Sequence, residues 1–300
     1  MNREVHVRFC EHLKGKFLRV TRPPVAQLEP GNGKTRKAYL WAYRSNDLEP
    51  GPRIIIFDYQ AGRSGRYAQN FLQNWRGHLL VDDYSGYKPL FSSASPCIEL
   101  GCWVHARRKF FDLHPANHSP MAMEALRRIG VLYAIEVKGR HLTIEDRQQL
   151  RVEKSLPALD ALHDWLIQTR MQTANGGGSA KALDYTLKRW SSLIRYAESG
   201  HLPIDNNPVE NAIRPIALGK KNWLFTGALG KKNWLFTGSE RAGQRAAAIQ
   251  TLVGTAQLNN LDPSVWLKDT LTKLPIWPNS RIDELLPLTP EFIKSLMQKQ

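Results

Sequence analysis

The sequence predicts an α/β protein: a mixed sheet with flanking helices, a helical insertion and a helical C-terminal tail. Aromatic and β-branched runs of strand length crowd the first third of the chain, whereas helical apolar spacing dominates afterwards. With 42% hydrophobic residues, nine Trp and ten Phe in 300 positions, the chain can bury a sizeable core, which excludes wholesale disorder and low-complexity scaffolding.

The run Phe17-Leu-Arg-Val-Thr21 alternates and is expected to stop at Arg22-Pro23-Pro24, since proline donates no ladder hydrogen bond. Pro30-Gly-Asn-Gly33 is a hairpin signal. Tyr39-Leu-Trp-Ala-Tyr43 and Arg53-Ile-Ile-Ile-Phe-Asp58 read as strands, the second apolar enough to sit centrally in a sheet. In residues 67–75, Phe71, Leu72 and Trp75 share one helical face. Gly77-His-Leu-Leu-Val-Asp82 is a further strand, ending in the carboxylates of Asp82 and Asp83.

A short helix after Tyr87 leads to the strand Cys97-Ile-Glu-Leu-Gly-Cys102 and a basic amphipathic helix over residues 104–113. Residues 120–170 are helical in pattern, with Leu126, Ile129, Leu132 and Tyr133 on one face, then Leu159, Leu162, Trp165 and Leu166. Asn175-Gly-Gly-Gly-Ser179 interrupts as a loop, and a helix over 180–199 stops at Gly200. Leu218-Gly-Lys-Lys-Asn-Trp-Leu-Phe-Thr-Gly227 recurs unchanged as residues 229–238, with Ala228 as the spacer; a solenoid needs at least three copies, so this reads as a tandem insertion. The tail from Leu261 is punctuated by proline and helical in patches.

Lys and Arg number 42 against 27 Asp and Glu, a formal charge of +15. In a chain without a run of roughly 18 to 20 apolar residues, that excess points to nucleic acid and to a soluble, unexported protein without a membrane partner. Three cysteines, Cys10, Cys97 and Cys102, argue against a disulfide framework.

Six motifs are weighed as candidate chemistry. Asp82 and Asp83 at a strand end suit divalent cations, or simply a turn. In Asp205-Asn-Asn-Pro-Val-Glu210, Asn207, Pro208 and Glu210 have capping-box spacing, so Glu210 either caps a helix or presents a carboxylate towards the edge that carries Asp82. Cys102 and His105 have ligand-like spacing but no second pair, so zinc is not expected. Arg107, Arg108 and Lys109, interleaved with Trp103, Phe110 and Phe111, read as a phosphate-contacting helix whose aromatics pack inward, with ordinary solvated charge as the competing reading. Gly31-Asn-Gly-Lys34-Thr35 lacks the upstream glycine of a phosphate-binding loop and runs into a strand, which excludes an ATPase; His114 and His118 are separated by Pro115 and do not share a helical face.

Taken together, Ala38 to Arg44, Asp82 to Tyr87, Cys102-Trp-Val-His-Ala-Arg-Arg-Lys-Phe110, Asp205 to Pro215, and Asn233-Trp-Leu-Phe with Ser239-Glu-Arg-Ala-Gly243 resemble the insertion-sequence-66 family of bacterial transposases. The likeness runs from about Pro24 to Pro287, and Leu274 to Pro287 resembles the family's short C-terminal element. It implies a ribonuclease-H-like core and an Asp, Asp, Glu triad holding two Mg2+ (or Mn2+) ions for phosphodiester cleavage and strand transfer. Matched residue by residue, Asp82 takes the place of the second Asp and Glu210 that of the Glu, as catalytic and metal-binding residues. Arg107, Arg108, Lys220, Lys221 and Arg241 are candidate phosphate contacts on charge and context.

The chain departs from the family twice. Where the first Asp stands in an Asp-Glu-Thr-Pro-Val segment, this chain has Thr21-Arg-Pro-Pro24, so Thr21 occupies the first Asp position and a large loss of activity is expected; Asp58 is the nearby carboxylate to weigh as a substitute. The duplication adds eleven residues, either as a bulged loop or with one copy replacing the other. Residues 1–22 match nothing in the family and read as a frameshifted start, 23–260 as the catalytic domain with a helical insertion at about 115–180, and 261–300 as the C-terminal element. The expectation is an N-terminally truncated, inactive transposase copy in the bacterial cytoplasm, associated with the nucleoid, with DNA and either itself or intact transposase as partners. The alternative is a non-catalytic basic protein that binds DNA or transposase.

Overall fold

The computed structural model describes residues 18–22, 24–29, 31, 34–48, 52–73, 75–92, 97–113, 119–222 and 236–288, with backbone alone for 18–20, 28, 215–222, 236–237 and 283. The unmatched start up to residue 17, the His114 and His118 pair and most of the duplication lie outside the described residues. The chain is mixed α/β, with small sheets and many helices, and divides into two compact units: Met1–Gln73 with Pro208–Gln300, and Asn74–Asn207.

In the first unit, β1 (Leu18–Thr21) and β2 (Pro24–Leu28) both pair antiparallel with β3 (Thr35–Ser45). Thr21 stands opposite Ala42 and Pro24 opposite Tyr39, so β1 and β2 keep the same register on β3. Pro24 is itself the first residue of β2, so pairing with β3 continues beyond the expected stop. β2 and β3 pair antiparallel on either side of the predicted hairpin signal. The central strand is β3, not the apolar 53–58 run: β4 (Ile55–Gln60) pairs with β3 and, among the described residues, with no other strand.

An apolar strand at an edge needs cover, because its outer N–H and C=O groups would otherwise be unsatisfied. Helix α9 supplies it; the helices before it in chain order are α1 (Arg66–Leu72), α2 (Trp103–Phe111), α3 (Pro120–Lys138), α4 (Ile144–Leu150), α5 (Leu156–Met171), α6 (Gly178–Lys188), α7 (Trp190–Ile194) and α8 (Asn207–Asn222), and α9 itself spans Glu240–Leu258. Thr255 Oγ1 accepts from the Ile55 N–H at 3.3 Å and donates to the Ile55 carbonyl at 3.1 Å. Thr251 Oγ1 accepts from the Phe57 N–H at 2.9 Å. Just past the helix, the Asn259 amide both accepts from Arg53 N–H, at 2.9 Å, and donates to the Arg53 carbonyl, at 2.8 Å. Four helical residues rise about 6 Å and two strand residues about 6.7 Å, so side chains at i, i+4 and i+8 track alternate strand residues. The same stripe, continued back through Ala247 to Gly243, is small: a Cβ at Gly243 would come within 2.5–2.6 Å of the Tyr59 ring, so glycine is what lets the helix approach.

Val209 and Ile213 of α8 and Ala247 of α9 pack on Val25, Leu40, Ala42, Ile55 and Phe57, one face of this sheet. The other face carries Trp41 and Tyr43. Tyr43 stacks on Phe71 of α1 at 3.9 Å between ring centroids, and Trp41 Nε1 donates to the Gly62 carbonyl. Beyond α9, α10 (Pro263–Lys273) is capped by Asp262, which accepts from the Ser264 N–H at 2.7 Å, and its buried Trp266 donates to the Leu285 carbonyl.

The second unit holds β5 (Gly77–Val81) and β6 (Cys97–Gly101) as a parallel pair, joined through a 3-10 helix over Ser85–Phe91. Its helical part contains α2 to α7, with a single π turn over Arg151–Ser155 between α4 and α5. Arg151, fully buried, is held by Glu136 through two bonds of 2.8 and 2.6 Å and donates to the carbonyls of Tyr196 and Ser199. Arg147 donates to the carbonyls of Gly139, Leu142 and Gly200. Two arginines thus tie together carbonyls at helix ends and turns. The single helix expected over 180–199 is instead α6, α7 and a 3-10 turn over Arg195–Glu198, broken at Arg189.

Thr255→Val removes both partners of Ile55 at almost constant shape, and urea unfolding should register a loss of about 1–3 kcal/mol. Glu136→Ala leaves the buried Arg151 charge without its carboxylate and should cost on the order of 3 kcal/mol in the same measurement.

Candidate functional site

Asp82 follows the buried Leu79-Leu80-Val81 end of β5 and accepts from the Tyr84 N–H at 3.2 Å, so it closes a tight turn. Asp83 has φ +69°, a conformation that Asp tolerates better than most residues. Its carboxylate pairs with Arg189, whose other terminal nitrogen donates to Glu99 at 2.7 Å. The two adjacent aspartates therefore part company: Asp83 neutralises a buried arginine, and Asp82 does not share that bond. Arg189 and Glu99 were missed in the sequence because an arginine inside a helical run reads as solvated surface.

Glu210 lies half-buried in the first turn of α8, beside the core residue Val209. The helix begins at Asn207, as its Asn-Pro-x-Glu spacing indicates, but the acceptor is Asp205: its Oδ1 takes the Asn207 N–H at 3.0 Å and its Oδ2 the Asn207 side-chain amide at 3.1 Å. The motif around Cys102 meets this segment. Cys102 Sγ lies 3.0 Å from Asn206 Oδ1, to which it donates, and the Trp103 N–H donates to the Ile204 carbonyl. Burial pushes the Cys102 thiol up to about 12. Burial together with Asp205 raises the Tyr133 phenol well above its ordinary value. Cys102 therefore clasps residue 206 through its thiol.

Thr21 and Asp58 are separated by the sheet. Thr21 stands opposite Ala42, and Ala42 opposite Phe57, so all three share the face on which α8 and α9 pack. Asp58 stands opposite Trp41, one residue out of phase, on the other face, where its carboxylate accepts from Gln60 Nε2 at 2.8 and 2.9 Å. Among the described residues no three His, Cys, Asp or Glu side chains form a group able to hold a metal ion. Asp82 and Glu210 fall in different units.

Of the basic candidates, Arg107 and Arg108 are exposed in the last turns of α2, Arg107 lying 5.8 Å from the Phe111 ring centroid. Trp103 and Phe110 pack inward as expected, but Phe111 is 48% exposed. Arg241 is exposed in the first turn of α9, where a cation opposes the helix dipole and so gains nothing from local structure. The side chains of Lys220 and Lys221 lie outside the described residues.

Residues 21–229 match the transposase IS66 family, and residues 251–288 match the IS66 C-terminal element. The chain belongs to the IS66 transposase family. An uncharacterized protein of Sinorhizobium fredii, y4hP, is 32% identical over 302 residues, covering 95% of this chain and 51% of its own length. A second from the same organism, y4qI, is 35% identical over 270 residues, covering 87% and 48%. The Escherichia coli protein YjgZ, also uncharacterized, is 59% identical over 29 residues, covering 10% and 27%. This IS66 chain spans about half the length of the rhizobial relatives it matches.

A thiol held neutral by burial should resist alkylation. Iodoacetamide at pH 8, read by peptide mass spectrometry, should leave Cys102 unmodified in the folded protein and label it on unfolding. Because the folded state holds this proton more tightly than the unfolded one, the stability it contributes is complete below pH 9 and falls as pH rises towards 12.

Proposed function

We propose that this chain serves IS66 transposition as a DNA-contacting domain that lacks strand-transfer activity of its own. Membership of the family supports the transposition role. The observation that carries the reading of activity is Thr21: at the start of the family match it places a neutral hydroxyl on the sheet face covered by the Glu210 helix, where the family resemblance calls for a carboxylate. A hydroxyl supplies no charge to neutralise divalent cations, and Asp58 lies on the opposite face. The donor set of Asp82 and Glu210 therefore falls one carboxylate short of a site for two Mg2+ or Mn2+ ions.

A ribonuclease-H-like core is part of the same proposal. It is supported by the antiparallel β1/β2–β3–β4 meander in one unit, and by the parallel β5–β6 pair with Asp82 at the end of β5 in the other. Exposed Arg107, Arg108 and Arg241, with Lys220 and Lys221 on α8, supply phosphate contacts, and the net charge of +15 favours any DNA. The alternative, a non-catalytic partner that joins intact transposase or a second copy on DNA, shares the binding step. The bacterial cytoplasm and its nucleoid are where such a protein works. No described helix is long and apolar enough to cross a membrane.

Joining of element-end DNA in Mg2+ or Mn2+ should be undetectable with the wild-type chain and appear with Thr21→Asp, then vanish again when Asp82→Ala or Glu210→Ala is added. Joining by the wild-type chain would overturn the reading. In fluorescence anisotropy, duplex affinity should fall linearly with the logarithm of salt, and Arg107→Ala with Arg108→Ala should flatten that slope by about 1.8.

A further inference from the structure

The second unit contains a cleft of about 580 Å3, bounded by the Asp83 turn, the 3-10 helix over Ser85–Phe91, the start of β6 and the α6–α7 junction. Its walls are more polar than apolar, and its charge is unbalanced. Lys88, Lys188, Arg189 and Arg195 line it against two carboxylates, Asp83 and Glu99. Arg189 binds both of those acids. Arg195 donates to the Glu99 backbone carbonyl, not to a carboxylate. Lys88 and Lys188 are exposed, and among the described residues neither forms an ion pair. The positive field reaches the neighbouring strand: burial, and then Arg195, lower the pKa of His78.

Tyr84 and Phe91, both half-buried, add aromatic wall, and Tyr84 meets Tyr87 edge-on at 5.5 Å between ring centroids. Cations beside aromatic faces are what a single nucleotide strand requires: phosphates for the charges and a base for the rings. Duplex DNA stacks its bases away and presents phosphates alone, so it uses half of these features. The volume lies within the range of small-ligand pockets and accommodates a nucleotide. The cleft opens at the turn that Asp82 closes through the Tyr84 N–H.

We infer that this cleft binds an unpaired DNA nucleotide, its phosphate held by Lys88, Lys188 and Arg195 and its base against Tyr84 and Phe91. The inference rests on the DNA-contacting function proposed above and names the strand state that the region beside Asp82 takes. It gives the basic regions different tasks: the exposed arginines of α2 and α9 hold duplex, and the cleft holds a single strand.

The test is fluorescence anisotropy with a labelled single-stranded oligonucleotide and a duplex of the same sequence, using the full chain. Lys88→Ala with Lys188→Ala should weaken single-strand binding about 10-fold or more and flatten its salt slope by about 1.4, while duplex affinity holds within about twofold. Tyr84→Phe should bind as wild type, whereas Tyr84→Ala should lose about 5-fold or more on the single strand. Thermal melting by circular dichroism, unchanged for the exposed lysine pair, separates lost binding from lost folding. Equal losses on both DNAs, or unchanged single-strand binding, would overturn the cleft assignment while leaving the DNA-contacting function intact. A wild-type chain that binds neither DNA sinks both.

Discussion

The hydrogen bonds that a helix makes to the bare edge of a strand organise the first unit. Strand β4 is too apolar to face water and has only one strand neighbour among the described residues, so its outer backbone groups have to be met by something else. Thr251, Thr255 and Asn259 meet them, and Gly243 and Ala247 continue the same stripe as residues small enough for contact. Fixing α9 there sets one wall of the apolar cluster that also takes in Val209 and Ile213, and so fixes where the first turn of α8, with Glu210, lies on the sheet face.

Electrostatics in the second unit follows a parallel logic. Buried arginines are placed wherever backbone carbonyls or carboxylates converge: Arg151 on Glu136 and two carbonyls, Arg147 on three carbonyls, Arg189 on Asp83 and Glu99. The charges of these three arginines, among the 42 Lys and Arg of this IS66 chain, are therefore structural and unavailable to phosphate. In the proposed function, the cations left for phosphate are the exposed and half-buried ones, which is a sharper statement than net charge allows.

Strand and helix periodicity made most elements legible: the hairpin, β5 with its terminal carboxylates, the basic helix and the start of α8 all lie where local patterns put them. What local pattern could not give was pairing. An all-apolar run looks central whether a strand or a helix covers its edge, so β4 was misplaced. A proline pair looks like a stop unless the partner strand is known to keep register, as β3 does for β1 and β2. The break at Arg189 has no local signal, and the two distant carboxylates that Arg189 meets there are tertiary neighbours. Of the candidate site, the positions of Asp82 and Glu210 were readable from motifs, whereas the diversion of Asp83, the clasp of Cys102 on Asn206 and the opposite faces of Thr21 and Asp58 required three-dimensional neighbours.

The duplicated segment contributes once from each copy: Leu218 to Asn222 complete α8, and Phe236–Thr237, from the second copy, form the short strand β7, parallel to β2. Ala217 precedes the first copy as Ala228 precedes the second, so the repeat is head-to-tail without a seam. A polymerase slipping on such a gene would excise one copy, and wherever within the repeat the cut fell, the shortened polypeptide would be the same. Loss of either copy thus leaves no scar in the polypeptide by which the ancestor could be told from the shortened chain.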